Sequence, residues 1–236
     1  MRAQGGERGG GTVAVVGIDG SGQSTHARAL TSWLKERGYD ARTVPFHRYL
    51  FLRALKFDRV RDSHSRGERH GGNPLRPFLS LIDNFTLLVV SAFGLRARGR
   101  VVVYDRYIWS TYLKYKALGY PVKPLSRLYL LPRPTACVLL DVSVSKSLGV
   151  IAQRPRHIKY SQSVLAEERA RLLSIADSKG YRVVDANRSF SEVEADIEQE
   201  IGKTFPARKR GQLQKTCEEA PRNDSERPIA SQPPHT

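Results

Sequence analysis

Apolar residues in this chain come in short runs separated by polar, glycine-punctuated stretches. The first run, TVAVVGI from Thr12 to Ile18, reads as a strand. It enters DGSGQST and then HARALTSWLKERG, where Ala27, Leu30, Trp33 and Leu34 recur at helical spacing. Gly38 supplies the helix stop, and a second strand is expected around Ala41 to Phe46. The opening unit is therefore strand, phosphate-sized loop, helix and strand.

Further along, Leu79 to Phe93 is apolar through much of its length, interrupted by Asp83 and Asn84, and predicts a partly buried helix. Gly99 and Arg100 precede VVVYDRY, whose Val101 to Val103 form the β-branched run of a strand covered on both faces. Tyr107 to Leu118 can make a short helix, ended by Gly119 and Pro121. ACVLLDV, Ala136 to Val142, is another central strand. IAQRPRHIKYSQS is basic and carries a proline, which suits a flap before the helix LAEERARLLSIADSKG. YRVVDA reads as a short edge-like strand and FSEVEADIEQEI as a closing amphipathic helix.

Five strands alternating with helices predict an α/β domain, a mostly parallel five-stranded sheet between helical layers, over residues 12–204. The Gly-rich residues 1–11 and the proline-bearing polar residues 205–236 have little to bury and read as disordered.

Charge and composition then narrow the partners. The 39 Lys and Arg outnumber the 23 Asp and Glu, a formal charge of +16 that favours anionic ligands. Eight of the basic residues fall between Arg48 and Arg76, in what reads as an exposed loop ordered with a ligand. Aromatic residues are not interleaved with them in a nucleic-acid-binding pattern, so nucleic acid is the less favoured partner. No apolar stretch approaches the roughly 20 residues that span a bilayer, and MRAQGGERGGG lacks a signal peptide's apolar segment. A cytoplasmic protein without a membrane partner is expected. The two cysteines, Cys137 in an apolar run and Cys217 in a polar stretch, point to neither a disulfide framework nor a thiolate metal site.

The sharpest chemical signal is GIDGSGQST, Gly17 to Thr25, which has the spacing of a nucleotide-triphosphate loop with glutamine in place of its lysine. Gly17, Gly20 and Gly22 let the backbone curve around phosphate, with Ile18 and Ser21 between them, and successive amides and the following helix favour an anion. Ser24 is the expected Mg²⁺ ligand, with Thr25 beside it on phosphate. Gln23 can donate a hydrogen bond to a phosphate oxygen but carries no charge. Arg106, Arg154 and Arg156 are the candidates to replace that charge in space.

Asp105 and Arg106 end a probable parallel strand, where open α/β sheets bind ligands. Asp105 is expected near the metal and Arg106 on an acceptor phosphate. A carboxylate capping the next helix, with the arginine paired to it on the surface, is the plainer alternative. Asp19, inside the loop, can reach an acceptor's sugar hydroxyl or the metal, or make a local turn bond. Arg48 is a further acceptor-phosphate candidate, and Arg154, Arg156 and Tyr160 belong to the flap.

Taken together, GIDGSGQST, VVVYDRY and IAQRPRHIKY resemble the glycine loop, the strand-end Asp-Arg-Tyr motif and the lid of thymidylate kinases, over about Thr12 to Ile201. The resemblance implies a P-loop NTPase-type three-layer sandwich, usually a homodimer, and Mg²⁺-dependent transfer of the ATP γ-phosphate to dTMP. It implies that Asp19 places the acceptor, Ser24 serves metal and triphosphate, Arg48 and Arg106 contact the acceptor phosphate, and Asp105 organises the metal region. The chain departs from the family pattern at Gln23. It departs again in LSLIDNFT, where Phe85 is the ring available to stack on a base but no arginine accompanies it. These departures keep two further readings open: a catalytically impaired nucleotide-binding regulator, and a kinase for another nucleoside monophosphate.

Overall fold

The computed structural model describes residues 10–46, 75–94, 99–130, 133–154 and 160–208. Five strands form one parallel sheet in the order β2-β3-β1-β4-β5: β1 (Gly11–Gly17), β2 (Ala41–Pro45), β3 (Val101–Asp105), β4 (Ala136–Asp141) and β5 (Arg182–Asp185). Every residue of β1 and of β3 is buried, which requires cover on both faces. β5 does lie at an edge, as its short, largely exposed pattern predicts. Pro45 ends the other edge strand, where a missing ladder N–H is tolerated.

The helices are α1 (Gln23–Glu36), α2 (Leu75–Gly94), α3 (Ile108–Ala117), α4 (Ser126–Leu130), α5 (Val144–Ala152), α6 (Gln162–Lys179) and α7 (Phe190–Thr204). In α1 the buried stripe Ala27, Leu30 and Leu34 packs over β1 to β3, and α7 lies beside it with Val193, Ile197 and Ile201 inward. Helices α2, α3 and α6 form the second layer. The predicted three-layer α/β architecture is the one observed.

Local signals account for the helix ends. Gly38, at φ 85°, follows α1 while the Tyr39 amide bonds back to Leu34, as a helix-ending glycine should. Ser143, Ser161 and Ser189 cap α5, α6 and α7 through their side chains. Pro77 sits in the first turn of α2, where its absent N–H costs no intrahelical bond. Asp83 and Asn84 are both buried, so the polar interruption in that helix faces protein and not solvent.

Gly11 already belongs to buried β1, and the packed chain continues past residue 204. Phe205 is 4% exposed against Tyr39, whose hydroxyl donates to the Pro206 carbonyl, and the Arg208 guanidinium lies over the Tyr39 ring. An aromatic residue with a ready partner was enough to hold these four residues on the domain, although their composition resembles the polar stretch that follows. Arg48, Arg156 and most of the basic stretch between Arg48 and Arg76 lie outside the described residues. Among the described residues no helix is long and apolar enough to cross a membrane.

Candidate active site

The site gathers at the C-terminal end of β1 and β3, the two central neighbours of the sheet. β1 runs into the loop Ile18–Gly22, closed by the Ser21 amide donating to the Ile18 carbonyl, and α1 starts directly after it. Gly20 and Gly22 have φ of 87° and 86°, a left-handed conformation that a side chain would strain. Space is short as well, because a Cβ on Gly20 would stand 2.7 Å from the Ser147 carbonyl oxygen. Gly22 caps α1 without a side-chain bond. The first amides of the helix are therefore free of side-chain competition for an anion.

Gln23 behaves differently from the expectation. Its side-chain amide donates back to the Gly17 carbonyl, and the residue is 5% exposed. It ties the entry of the loop to its exit instead of reaching toward a ligand. Ser24 and Thr25, by contrast, are exposed at the loop's end. The Ser24 hydroxyl donates to Asp105 Oδ2 at 2.6 Å, bringing the first turn of α1 to the end of β3. A hydroxyl and a carboxylate oxygen side by side are the hard donors that suit Mg²⁺. No cluster of three or more His, Cys, Asp or Glu side chains is present among the described residues, and a metal here would draw its remaining ligands from phosphate and water.

Asp19 makes two ion pairs, one per oxygen. The Arg106 guanidinium donates to Oδ1 and the Lys114 ammonium to Oδ2. Asp19 is buried, while the side chains of Arg106 and Lys114 remain 20% and 21% exposed, so the cations form the outer surface of the cluster. The Asp19 carbonyl accepts the Ser147 hydroxyl from α5, which braces the loop from the other side. Arg106 itself is at φ 74°, the sole non-glycine residue with positive φ among those described. That conformation costs about 1–2 kcal/mol in an L-residue, and the amide bond of Arg106 to the Val15 carbonyl helps hold it.

The alternative of a surface Asp105–Arg106 pair is not what forms. Asp105 turns to Ser24, Arg106 to Asp19, and α3 is capped by Tyr107 and Ser110. Tyr160 joins the cluster, its ring 4.6 Å from the Lys114 ammonium. Arg154 is exposed in the turn after α5. Phe85 is 40% exposed on α2, on the side that also carries Phe78 and Val89.

Three residues escaped the sequence reading: Lys114, Ser147 and Glu168. Lys114 had a usable signal. Its helix IWSTYLKYKA is buried at Ile108 through Leu113 and again at Tyr115 and Ala117, and a lysine in so apolar a helix needs a partner. Glu168 of α6 is 1% exposed. Burial pushes its carboxyl above the usual range, and the positive charges of Lys114 and Arg106 oppose that rise in part. Burial likewise raises the Tyr107 hydroxyl, which packs between Phe46, Tyr104 and Trp109 as part of the core.

A parallel sheet whose central strand feeds a glycine loop and a helix start, with a carboxylate and an arginine at the end of the adjacent strand, defines a P-loop nucleotide-binding protein. A family model described as thymidylate kinase matches residues 88–197. The chain is 33% identical over 193 residues to the probable thymidylate kinase of Pyrobaculum aerophilum, covering 78% of this chain and 93% of that one. Against the probable thymidylate kinase of Thermococcus gammatolerans the identity is 29% over 205 residues, covering 80% and 96%. Against the thymidylate kinase of Symbiobacterium thermophilum it is 28% over 217 residues, covering 84% and 96%. The chain belongs to the thymidylate kinase family.

Proposed function

We propose that this protein transfers the γ-phosphoryl group of ATP to dTMP, giving dTDP and ADP. The observation that carries the reading is the joining of Asp19, Arg106 and the Ser24–Asp105 pair at one end of the sheet, beside a glycine loop, in a chain of this family. The donor's phosphates lie along Gly17 to Thr25 and the acceptor monophosphate lies toward Arg106 and Arg48. An acceptor phosphate oxygen attacks the γ-phosphorus in line, the bond to the β–γ bridging oxygen breaks, and ADP leaves. The acceptor is already largely ionised near neutral pH, so positioning and charge compensation dominate and no strong base is required. Ser24 and Asp105 would hold a Mg²⁺ ion, which would supply neutralisation of charge on the donor phosphates.

In the same reading Asp19 orients the acceptor's sugar, Phe85 stacks on its base, and Arg154, Arg156 and Tyr160 close over the donor. A homodimer and a cytoplasmic location belong to the proposal. Support for the dimer is Val90 of α2, 63% exposed and off the side of the helix that carries Phe85.

One observation favours a second reading, a nucleotide-binding regulator: Gln23 is neutral and already engaged by Gly17. Purified protein assayed with ATP, Mg²⁺ and a panel of deoxy- and ribonucleoside monophosphates separates them. Preferential transfer to dTMP is expected. Preference for another monophosphate would sink the substrate assignment, and nucleotide binding without transfer to any of them would favour the regulator.

A further inference from the structure

Position 23 lacks a cation, but among the described residues two cations gather on Asp19 of the same loop. Asp19 is one carboxylate facing two cations, Arg106 and Lys114, which leaves a net positive charge at the cluster. Glu168 of α6 also stands near both cations; burial pushes its carboxyl up and so weakens its claim on their charge, while the cations oppose that rise in part. The two cations differ in how they are held. Arg106 is fixed by a strained backbone at the strand end, a planar fork suited to a stationary phosphate. Lys114 is a point charge on a flexible stem, delivered from α3 and held between Asp19 Oδ2 and the face of the Tyr160 ring.

Both of those holders can release an ammonium group to a stronger partner. A phosphate oxygen carrying the charge of a terminal phosphoryl group is such a partner, and Asp19 lies within the very loop that receives it. The Lys114 side chain is 21% exposed, so it is not sealed inside the cluster. We propose that Lys114 is a catalytic residue that contacts the donor's terminal phosphate and supplies the positive charge absent at position 23. It rests on the kinase reading for its role in transfer, but its contact with the terminal phosphate is a binding property that stands apart from turnover. Lys114 stabilises charge on the phosphoryl oxygens while the bond passes from the bridging oxygen to the acceptor.

The test uses the full chain with Lys114→Met and Lys114→Gln as neutral replacements and Lys114→Arg as the charge-retaining one. Calorimetry with Mg²⁺ measures binding of ADP and of a non-hydrolysable imido analogue of ATP, and coupled assays separate kcat from the acceptor KM. In the neutral variants the analogue should weaken about 10-fold or more beyond any change for ADP, kcat should fall about 100-fold, and the acceptor KM should move less than about 3-fold. Lys114→Arg should restore most of the analogue's preference over ADP. Equal weakening of ADP and the analogue would overturn the assignment, as would a loss that falls on the acceptor KM. Having two neutral variants guards against one that fails to fold, which thermal melting reveals. Should the wild-type protein transfer phosphate to no monophosphate, the kinase reading fails, while the analogue-to-ADP ratio still decides the contact of Lys114.

Discussion

Ser24 and Asp105, 81 residues apart in sequence, meet in a 2.6 Å hydrogen bond that joins the first turn of α1 to the end of β3. The bond ties the donor loop to the strand that also ends in Arg106, so disturbance of either side is felt at both.

Replacing Asp105 by Asn keeps an oxygen for the Ser24 hydroxyl and removes the charge. The fold should persist, the Mg²⁺ concentration for half-maximal rate should rise about 10-fold, and kcat should drop. Metal titrations of the rate, set beside thermal melts, check it. An unchanged Mg²⁺ requirement would remove Asp105 from the metal region.

Gly20→Ala meets two obstacles at once: a φ of 87° and a carbonyl oxygen of Ser147 only 2.7 Å from the new Cβ. The backbone conformation alone costs about 1–2 kcal/mol, and the close contact forces the loop away from α5. Denaturant unfolding should show at least that loss, and calorimetry should show weakened ATP binding. Wild-type stability in this variant would mean that the loop can move without cost.

Gln23→Ala removes the donor that Gly17's carbonyl accepts inside the protein. A loss of about 1–2 kcal/mol is expected from denaturant unfolding. Gln23→Lys retains a donor at that position and should lie closer to wild type. Equal destabilisation by the two substitutions would argue that the side chain's shape, and not its hydrogen bond, closes the loop.

Glu168→Gln should alter how stability depends on pH. Burial raises the folded-state value above that of the unfolded chain, so the folded protein binds more protons between the two. In the wild type, this group's contribution is therefore fully present below the ordinary carboxylate range and is lost as pH rises toward the raised value. Glutamine cannot ionise. The variant should gain on the wild type as pH increases through that window, which melting temperatures from pH 4 to 8 would detect. Parallel curves across the whole range would mean that the Glu168 carboxyl titrates alike in the folded and unfolded chain.

Much of this protein could be read from local pattern. The run Val13 to Val16, the glycines that follow and the spacing of Ala27, Leu30 and Leu34 announce a strand, a phosphate loop and a helix, because each depends on residues within a few positions of one another. The β-branched run before Asp105 likewise identified a buried strand with a ligand-facing end. Partnerships were a different matter. That Gln23 turns inward to Gly17 is settled within one loop, but that Asp19 collects Arg106 and Lys114, and that Ser24 finds Asp105, depend on which strand lies next to which. The order β2-β3-β1-β4-β5 sets β3 beside β1 although a strand and two helices separate them along the described chain. Hydrogen bonds and ion pairs act over a few ångströms, and only the folded sheet brings residues some 80 to 95 positions apart within that range.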